Sequence, residues 1–474
     1  MDFNQQHYQI KTVQLNGKTL IYRAYEDIVY VANPIEPAYQ SLHFYVPEAH
    51  FNGQQINGYA NNAPIFLPNS VGGYMPAMAA KAEDKGMGGK TSTILNALAQ
   101  GYVVASVGAR GRTLEHNGPY TGKAPAAIID LKAAVRYLHA NDGKMLGDAN
   151  KIISNGTSAG GALSALFGAS ADSADYESAL KALGAAKASD RIFAVSAYCP
   201  ITNLDNADSD YEWEFNGVND FSRMDMSKLN AKTFNDRSQG MLPKIEGTLN
   251  AEEIKVSAEL KQLFPNYLNS LNLKDANGNP LTLDQQGNGS FKNYLANLIA
   301  QSTENARQKG TDLSAFSWIG FAQDGSVKNI DWDGYVHSAK RMKSPPAFDA
   351  LTMDSGENNL FGENNRLKIN NKHFTPYSYQ HHIGNKIGSW AMADSHIIKM
   401  MNPMHYLDNP KAAQYWRIRV GTADRDTSHA ISAILAVALQ MHGKQVDLAY
   451  PWAVPHSGDY DLDELFQWID HLAK

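Results

Sequence analysis

A serine flanked by glycines is the residue of this chain best suited to covalent chemistry. Ser158 lies at the centre of the pentapeptide GTSAG (residues 156–160), which has the spacing G-x-S-x-G. A β-branched run precedes the motif and a run of small residues follows it. This order predicts a nucleophile elbow, a sharp strand-to-helix turn that exposes the serine hydroxyl above an α/β sheet. A side chain at either flanking glycine would crowd the backbone of so tight a turn.

A serine nucleophile needs a base and an acid, and two residues near the end of the chain fit these roles. In hydrolases with this elbow the triad runs in the chain order serine, acid, histidine. Asp424 follows the penultimate predicted strand and His456 follows the last one, so both lie where parallel sheets form their sites. We expect His456 to take the proton of Ser158 and Asp424 to orient the imidazole. Asp426 and Asp205 are the alternative acids.

Two backbone N–H groups are predicted to bind the oxyanion that forms during ester cleavage. One belongs to Ala159, which follows the nucleophile and begins a helix whose free N–H groups point at the developing charge. The other belongs to Gly73, because the pair Gly72-Gly73 follows an apolar strand at residues 63–68. A loop in this position supplies the second donor in such enzymes. A plain turn is the alternative for the glycine pair.

These residues must be positioned by a sheet, and the sequence predicts a mainly parallel one. Continuous apolar runs at 101–107 and 192–198 indicate strands buried on both faces. Apolar residues at helical spacing over 126–139 predict a helix between them, and this alternation favours right-handed parallel crossovers. Asn16-Gly17 between two alternating runs predicts a hairpin. Further strands are predicted at 41–47, 63–68, 415–421 and 445–450, and further helices at 428–442 and 461–474.

The stretch from residue 205 to residue 395 differs in composition from both flanks. It is rich in Asn, Asp, Ser and Gly, and it contains amphipathic helical pieces such as 251–263 but no clear buried parallel strand. We therefore predict an α/β core of residues 1–204 and 396–474, with 205–395 inserted as a cap or lid domain. Within the cap, the segment 275–279 lacks the distal glutamate of a calcium loop and is predicted to be a turn. His381-His382 has no partner at metal-ligand spacing, and no metal or cofactor is expected.

Composition excludes several classes of protein. Of the 474 residues, 43% are hydrophobic and 19% charged, as in globular enzymes. The net charge of −6 does not favour nucleic-acid binding, and the longest apolar stretch, 430–441, is too short to span a bilayer. Cys199 is the only cysteine, so it forms no intrachain disulfide and is predicted to be buried and structural. The first residues lack the pattern of a secretory leader. A cytoplasmic monomer is expected, with a removed leader as the alternative.

Four segments of the chain resemble the bacterial tannases, which are tannin acyl hydrolases of the intracellular type. They are APIFLPNSVGGY (63–74), GARGR (108–112), GTSAGG (156–161) and GTADRD (421–426). The resemblance extends over nearly the whole chain and includes the position of the cap. It implies an α/β-hydrolase fold and hydrolysis of the ester between gallic acid and an alcohol or sugar, through a galloyl group on Ser158. Arg110 and Arg112 are expected to pair with core carboxylates, with substrate binding as the alternative.

The resemblance also implies a binding site for the galloyl ring. In that family a lysine and a glutamate of the cap, and an aspartate two residues after the catalytic one, hold the three phenolic hydroxyls. The matching residues are Lys343, Glu357 and Asp426. Carboxylates accept charge-assisted bonds from such hydroxyls, and a ring without them would leave buried charges unpaired. A solvated surface pair is the alternative for Lys343 and Glu357.

Other functions remain open at this level. Cysteines next to the serine and the histidine are bridged in the fungal tannase and feruloyl esterase group. Thr157 and Pro455 stand there in this chain, which favours the bacterial branch and a reducing compartment. The main alternative is a feruloyl or general aryl carboxylesterase with the same triad, in which Asp426 matters little. A hydrolase-like fold that only binds a ligand and a peptidase are weaker alternatives.

Overall fold

The fold is given by a computed structural model, which describes residues 1–85, 91–225, 230–235, 243–364, 371–384 and 386–474. The strands in chain order are β1 (Gln9–Leu15), β2 (Lys18–Val29), β3 (Ser41–Pro47), β4 (Pro64–Pro68), β5 (Val103–Val107), β6 (Asp148–Thr157), β7 (Ala194–Tyr198), β8 (Asp220–Met224), β9 (Lys244–Thr248), β10 (Ile319–Phe321), β11 (Val327–Ile330), β12 (Tyr415–Arg419) and β13 (Gln445–Ala449). The α-helices are α1 (Glu48–Phe51), α2 (Thr93–Ala99), α3 (Ala126–Ala140), α4 (Ala159–Ala169), α5 (Glu177–Ala182), α6 (Leu204–Phe215), α7 (Ala231–Asn235), α8 (Ala251–Ser270), α9 (Ser290–Gln308), α10 (Trp332–Ala339), α11 (Gly356–Leu360), α12 (Pro376–Gln380), α13 (Ser395–Met400), α14 (His429–Met441) and α15 (Leu462–Ala473).

A nine-stranded sheet of the described residues organises the fold. Its strand order is β1-β2-β3-β5-β4-β6-β7-β12-β13. The strands from β5 to β13 in this order run parallel, and β1, β2 and β3 form an antiparallel edge. Every residue of β5 and β7 is buried, because helices such as α4 and α14 pack against the parallel part. The predicted α/β class with a mainly parallel sheet is confirmed.

The predicted hairpin at Asn16-Gly17 is also confirmed. It joins β1 to β2, with Leu15 opposite Lys18. Both loop residues have positive φ, 49° for Asn16 and 74° for Gly17, which is the conformation that a two-residue hairpin turn requires. This antiparallel ribbon extends the sheet on the side away from the predicted catalytic strands.

The described residues between β7 and β12 form helices and two small antiparallel sheets, β8–β9 and β10–β11. Helix α6 opens this insertion and packs against α8. Trp213 of α6 lies on Phe264 of α8, with 5.1 Å between the ring centroids. The apolar core is continuous from the sheet into the insertion through these aromatic residues. No helix among the described residues is long and apolar enough to cross a membrane.

Helix α8 is longer than the predicted helical piece, 251–263. Pro265 follows that piece and lacks the N–H that an internal helix position donates. The helix nevertheless continues to Ser270, because Phe264 and Leu268 on its inner face are completely buried. Its start is fixed by Asn250, whose side chain accepts the N–H groups of Glu252 and Glu253.

Two polar predictions outside the site are confirmed. Arg110 pairs with the fully buried Asp130, at 2.8 Å between Nη2 and Oδ1, so it is a core ion pair. Asp275 accepts the backbone N–H groups of Asn277 and Asn279 at 2.9 and 2.8 Å. Its carboxylate therefore closes a turn, as the sequence predicts.

Candidate active site

Ser158 sits at a strained junction between a strand and a helix. Strand β6 ends at Thr157 and α4 begins at Ala159, so Ser158 is the single connecting residue. Its φ of 59° and ψ of −122° lie outside the regions that non-glycine residues normally adopt. A Cβ on the preceding Gly156 would lie 2.3 Å from the carbonyl oxygen of Gly160. The strand, sharp turn and helix are as predicted, and the crowding explains the glycines.

The loop after β4 packs against this elbow. Asn69 donates from its side-chain amide to the carbonyls of Asn155 and Gly160, at 3.2 Å each. Gly73, the predicted oxyanion donor, follows in this loop with a φ of 54°. Arg112 stabilises this turn, because its Nε donates to the Gly73 carbonyl at 2.8 Å. The other predicted donor, Ala159, is the first residue of α4, where N–H groups have no partner within the helix.

The loops after β12 and β13 bring the predicted acid and base together. Asp424 Oδ2 lies 2.9 Å from Nδ1 of His456. The aspartate is fully buried, and about a fifth of the histidine side chain is exposed. The alternative acid Asp205 lies on α6 and bonds Asn402 at 2.7 Å instead. The other alternative, Asp426, approaches the opposite ring nitrogen of His456, with 3.1 Å between Oδ2 and Nε2.

These carboxylates determine the electrostatics of the imidazole. Burial would lower the pKa of His456, but Asp424, the Cys199 sulfur and Asp426 together outweigh it and raise this pKa well above its usual value. Within the described chain, the two ring nitrogens contact these carboxylates and the Cys199 sulfur, and neither forms a hydrogen bond with the Ser158 hydroxyl. Contacts between nucleophile and base are often loose before substrate binds.

The three residues matched to the galloyl ring lie in one cluster. Lys343 Nζ is 2.9 Å from Oδ1 of Asp426, and the same ammonium lies 3.9 Å from the centroid of the Phe348 ring. Although burial would raise the pKa of Asp426, the charges of Lys343 and His456 lower it to about 2. Glu357 is the second residue of α11. Burial raises its pKa, against the opposing charges of Lys343 and Arg112.

Cys199 is buried, as predicted, but it also lies at the site. Its sulfur is 3.9 Å from Nε2 of His456, and burial raises the pKa of the thiol. Among the described residues, one group of donor side chains is close enough to hold a metal ion, namely Cys199, Asp424 and His456, whose donor atoms lie within 4.8 Å of one another. The same arrangement also fits a catalytic acid, Asp424, and a base, His456, beside the neutral thiol of Cys199.

The comparison with known proteins agrees with the geometry. A family model described as BD-FAE matches residues 72–241. A tannase from Fusobacterium nucleatum is 54% identical, with a TM-score of 0.94 over 100% of this chain and 99% of that one. The chain belongs to the bacterial tannases. A tannin acyl hydrolase from Lactobacillus plantarum is 43% identical, with a TM-score of 0.92 over 100% and 98% of the two chains. No curated protein sequence matches the chain.

Membership of the tannase family confirms the resemblance, the α/β-hydrolase fold and the class of enzyme, a carboxylic ester hydrolase. A tannin acyl hydrolase in complex with ethyl gallate is also 43% identical, with a TM-score of 0.91 over 100% of this chain and 98% of that one. This tannase therefore shares its whole length with relatives that bind a galloyl ester.

Two further residues lie at the site of this tannase. Arg112 was expected to pair with a core carboxylate, with substrate binding as the alternative, but it forms no ion pair within the described part of the chain. It bonds the Gly73 carbonyl and, at 3.4 Å, the side-chain oxygen of Asn359. Tyr211 contacts both the Lys343 segment and the Asp424 loop. Its position on a helix far away in sequence gives no local signal; only a three-dimensional structure reveals it.

Proposed function

We propose that this tannase-family enzyme hydrolyses galloyl esters, such as tannins and alkyl gallates, to gallic acid and an alcohol. The observation that supports this most strongly is the contact of Lys343 with Asp426, which also contacts His456. It gives a cluster suited to phenolic hydroxyls directly beside a general base. The bound ethyl gallate of a 43% identical tannin acyl hydrolase supports the same substrate class.

The chemistry proposed is acyl transfer in two halves. Ser158 Oγ attacks the ester carbonyl while His456 takes its proton, and Asp424 stabilises the resulting imidazolium. The N–H groups of Gly73 and Ala159 bind the oxyanion. His456 then protonates the leaving alcohol as the ester bond breaks, which leaves a galloyl-Ser158 intermediate. A water molecule activated by His456 attacks this ester and releases gallic acid.

Recognition of the ring is assigned to Lys343, Glu357 and Asp426. Carboxylates accept hydrogen bonds from phenolic O–H groups, and the ammonium donates to the phenolic oxygens. The insertion at residues 205–395 is proposed as the cap. This is supported by the contact of its residue Lys343 with Asp426, in the loop after β12. A cytoplasmic location and a monomeric state belong to the same proposal, and these steps require neither a metal nor a cofactor.

The test compares hydrolysis of methyl gallate and methyl benzoate by the unmodified chain, with Ser158→Ala as the control. We expect kcat/KM to be at least about 10³-fold higher for the gallate, and Ser158→Ala to abolish both activities. Equal rates on the two esters would support a general aryl esterase and would contradict the ring-binding role of Lys343, Glu357 and Asp426. If neither ester is cleaved, the proposed activity is wrong.

A further inference from the structure

The hydroxyl of Tyr211 joins two separate segments at the centre of the proposed site. It donates to the carbonyl of Arg425 at 2.8 Å. It accepts the backbone N–H groups of Met342 and Lys343, each at 3.1 Å. A phenol offers one donor and two acceptor positions, so this hydroxyl is fully used. Tyr211 is completely buried in helix α6, where water does not compete for these bonds.

The two joined segments carry the two charges of the galloyl cluster. Arg425 lies between Asp424 and Asp426 in the loop after β12, and Lys343 lies in the insertion. Lys343 Nζ and Asp426 Oδ1 are 2.9 Å apart. One atom, the hydroxyl oxygen of Tyr211, is therefore hydrogen-bonded both to the backbone of Lys343 and to the peptide group that precedes Asp426.

The residue that follows Tyr211 holds the Lys343 carbonyl indirectly, through an arginine. Arg341 donates from Nε to the carbonyl of Lys343 at 2.7 Å, and its Nη1 donates to Glu212 at 3.2 Å. The N–H of Lys343 is thus bonded to Tyr211 of α6 directly, and its carbonyl is bonded to Arg341, which the neighbouring Glu212 of α6 holds. Such a fixed backbone keeps a charged side chain within the narrow range of positions that recognition needs.

We propose that Tyr211 is a positioning residue that determines selectivity for hydroxylated rings, by holding Lys343 and Asp426 at the spacing that phenolic hydroxyls require. This inference rests on the proposed function, since it assumes that these two side chains bind the ring. Among the described residues, the Tyr211 hydroxyl forms its hydrogen bonds with the backbone of Arg425, Met342 and Lys343, not with a triad side chain. Tyr211 acts through the segments that carry Lys343 and Asp426.

The hydroxyl can be tested separately from the aromatic ring. The ring of Tyr211 packs on Phe215 and Phe348, with centroid distances of 4.6 and 6.2 Å. Phenylalanine keeps these contacts, so Tyr211→Phe removes only the three hydrogen bonds. A matched control is Tyr102→Phe. Tyr102 is equally buried, and its hydroxyl lies 2.6 Å from Oδ1 of Asp470 and 3.0 Å from the Phe466 carbonyl, beyond the amino end of β5 and away from the carboxyl ends of the strands.

The experiment measures kcat/KM for methyl gallate and methyl benzoate in the unmodified chain and in both variants. Both esters use the same triad, so the ratio of their kcat/KM values cancels any general damage to catalysis. We expect Tyr211→Phe to lower this ratio about tenfold or more, chiefly through a higher KM for the gallate. Tyr102→Phe should leave the ratio unchanged.

The outcomes distinguish this inference from the proposed function. If the unmodified chain prefers the gallate and a folded Tyr211→Phe keeps the same preference, the positioning role is overturned while the galloyl function stands. If the unmodified chain shows no preference, the galloyl site itself is wrong, and the inference with it. If Tyr211→Phe does not fold, the inference is tested instead by measuring amide hydrogen exchange in the unmodified chain. Slow exchange of the Met342 and Lys343 amides supports the inference, and fast exchange contradicts it.

Discussion

Asp426 Oδ2 lies 3.1 Å from Nε2 of His456, the ring nitrogen opposite the one that contacts Asp424. The other oxygen of the same carboxylate lies 2.9 Å from Lys343 Nζ. One side chain therefore connects the proposed ring-binding cluster to the proposed base. A phenolic hydroxyl that binds Asp426 would compete with His456 for it, and would release Nε2 to face the nucleophile. If these residues have the proposed roles, substrate recognition and activation of the base are coupled through this carboxylate.

The first prediction concerns the pH dependence of Asp426→Asn. The negative charge of Asp426 helps to raise the pKa of His456, and only the neutral imidazole acts as a base. Activity therefore rises as the pH increases through this pKa. Removing the charge lowers the pKa, so the acid limb of kcat/KM for methyl benzoate should move to lower pH. The pH profile is measured on methyl benzoate because that ester does not need the ring-binding residues.

Asp426→Asn should at the same time lose most of the preference for methyl gallate, by about 10²-fold, because a charge-assisted partner of the ring is removed. Asp408→Asn is the control, since the Asp408 side chain is almost fully exposed and contacts His442. Its pH profile should match that of the unmodified chain. An acid limb that stays in place in Asp426→Asn contradicts the coupling of Asp426 to His456.

The second prediction concerns Arg112, which bonds the Gly73 carbonyl in the proposed oxyanion loop and Asn359 on the helix that carries Glu357. Its charge helps to hold the pKa of Glu357 down against the effect of burial. In Arg112→Gln this pKa rises further, so Glu357 is protonated up to a higher pH and accepts phenolic hydroxyls less well. We expect KM for methyl gallate to increase most at the acid end of the pH range. The loss of the bond to the Gly73 carbonyl should also lower kcat for both esters about tenfold.

Arg191→Gln is the matched control for this change, because Arg191 is an exposed arginine. Steady-state kinetics at several pH values give KM and kcat separately. A uniform loss of kcat with no pH-dependent change in KM would mean that Arg112 acts on the oxyanion loop alone.

The third prediction tests how the acid and base loops are packed. A Cβ on Gly421 would lie 1.8 Å from the carbonyl oxygen of Val454, which is two residues before His456. Gly421→Ala must therefore push the His456 loop away from the Asp424 loop. We expect kcat/KM for both esters to fall about 10²-fold, without a change in their ratio. Gly443→Ala is the contrast, because that glycine has positive φ and open space around it, so only stability should decrease.

Much of this architecture could be predicted from local sequence signals. The elbow at Ser158, the Asn16-Gly17 hairpin and the strands around the triad are each specified by residues that are neighbours in sequence. Helix α8 shows one limit, since the burial of Phe264 and Leu268 carries it through Pro265. Tertiary packing there overrides the local preference.

The site shows a different limit. Carboxylates such as Asp424 and Asp426 are recognisable because motif and chain order place them. The contacts that fix their loop come from α6, more than 200 residues earlier (425 − 211 = 214). A buried tyrosine has the same sequence signature whether its hydroxyl bonds a core carbonyl or a site segment. Only the fold separates Tyr211 from Tyr102.

The fourth prediction separates stability from activity. Asp130 is completely buried and accepts the Arg110 side chain and backbone N–H at 2.8–3.2 Å. Asp130→Asn leaves the arginine charge buried without its partner, so the free energy of unfolding should fall by about 3–5 kcal/mol. The measurement is the midpoint of urea denaturation, with Asp2→Asn as the control. Asp2 pairs with Lys144 at the surface, where an ion pair adds little to stability.

The ratio of kcat/KM for methyl gallate to that for methyl benzoate should stay the same in folded Asp130→Asn. A large change in that ratio would contradict the purely structural role of Arg110, and would move this arginine into the substrate site.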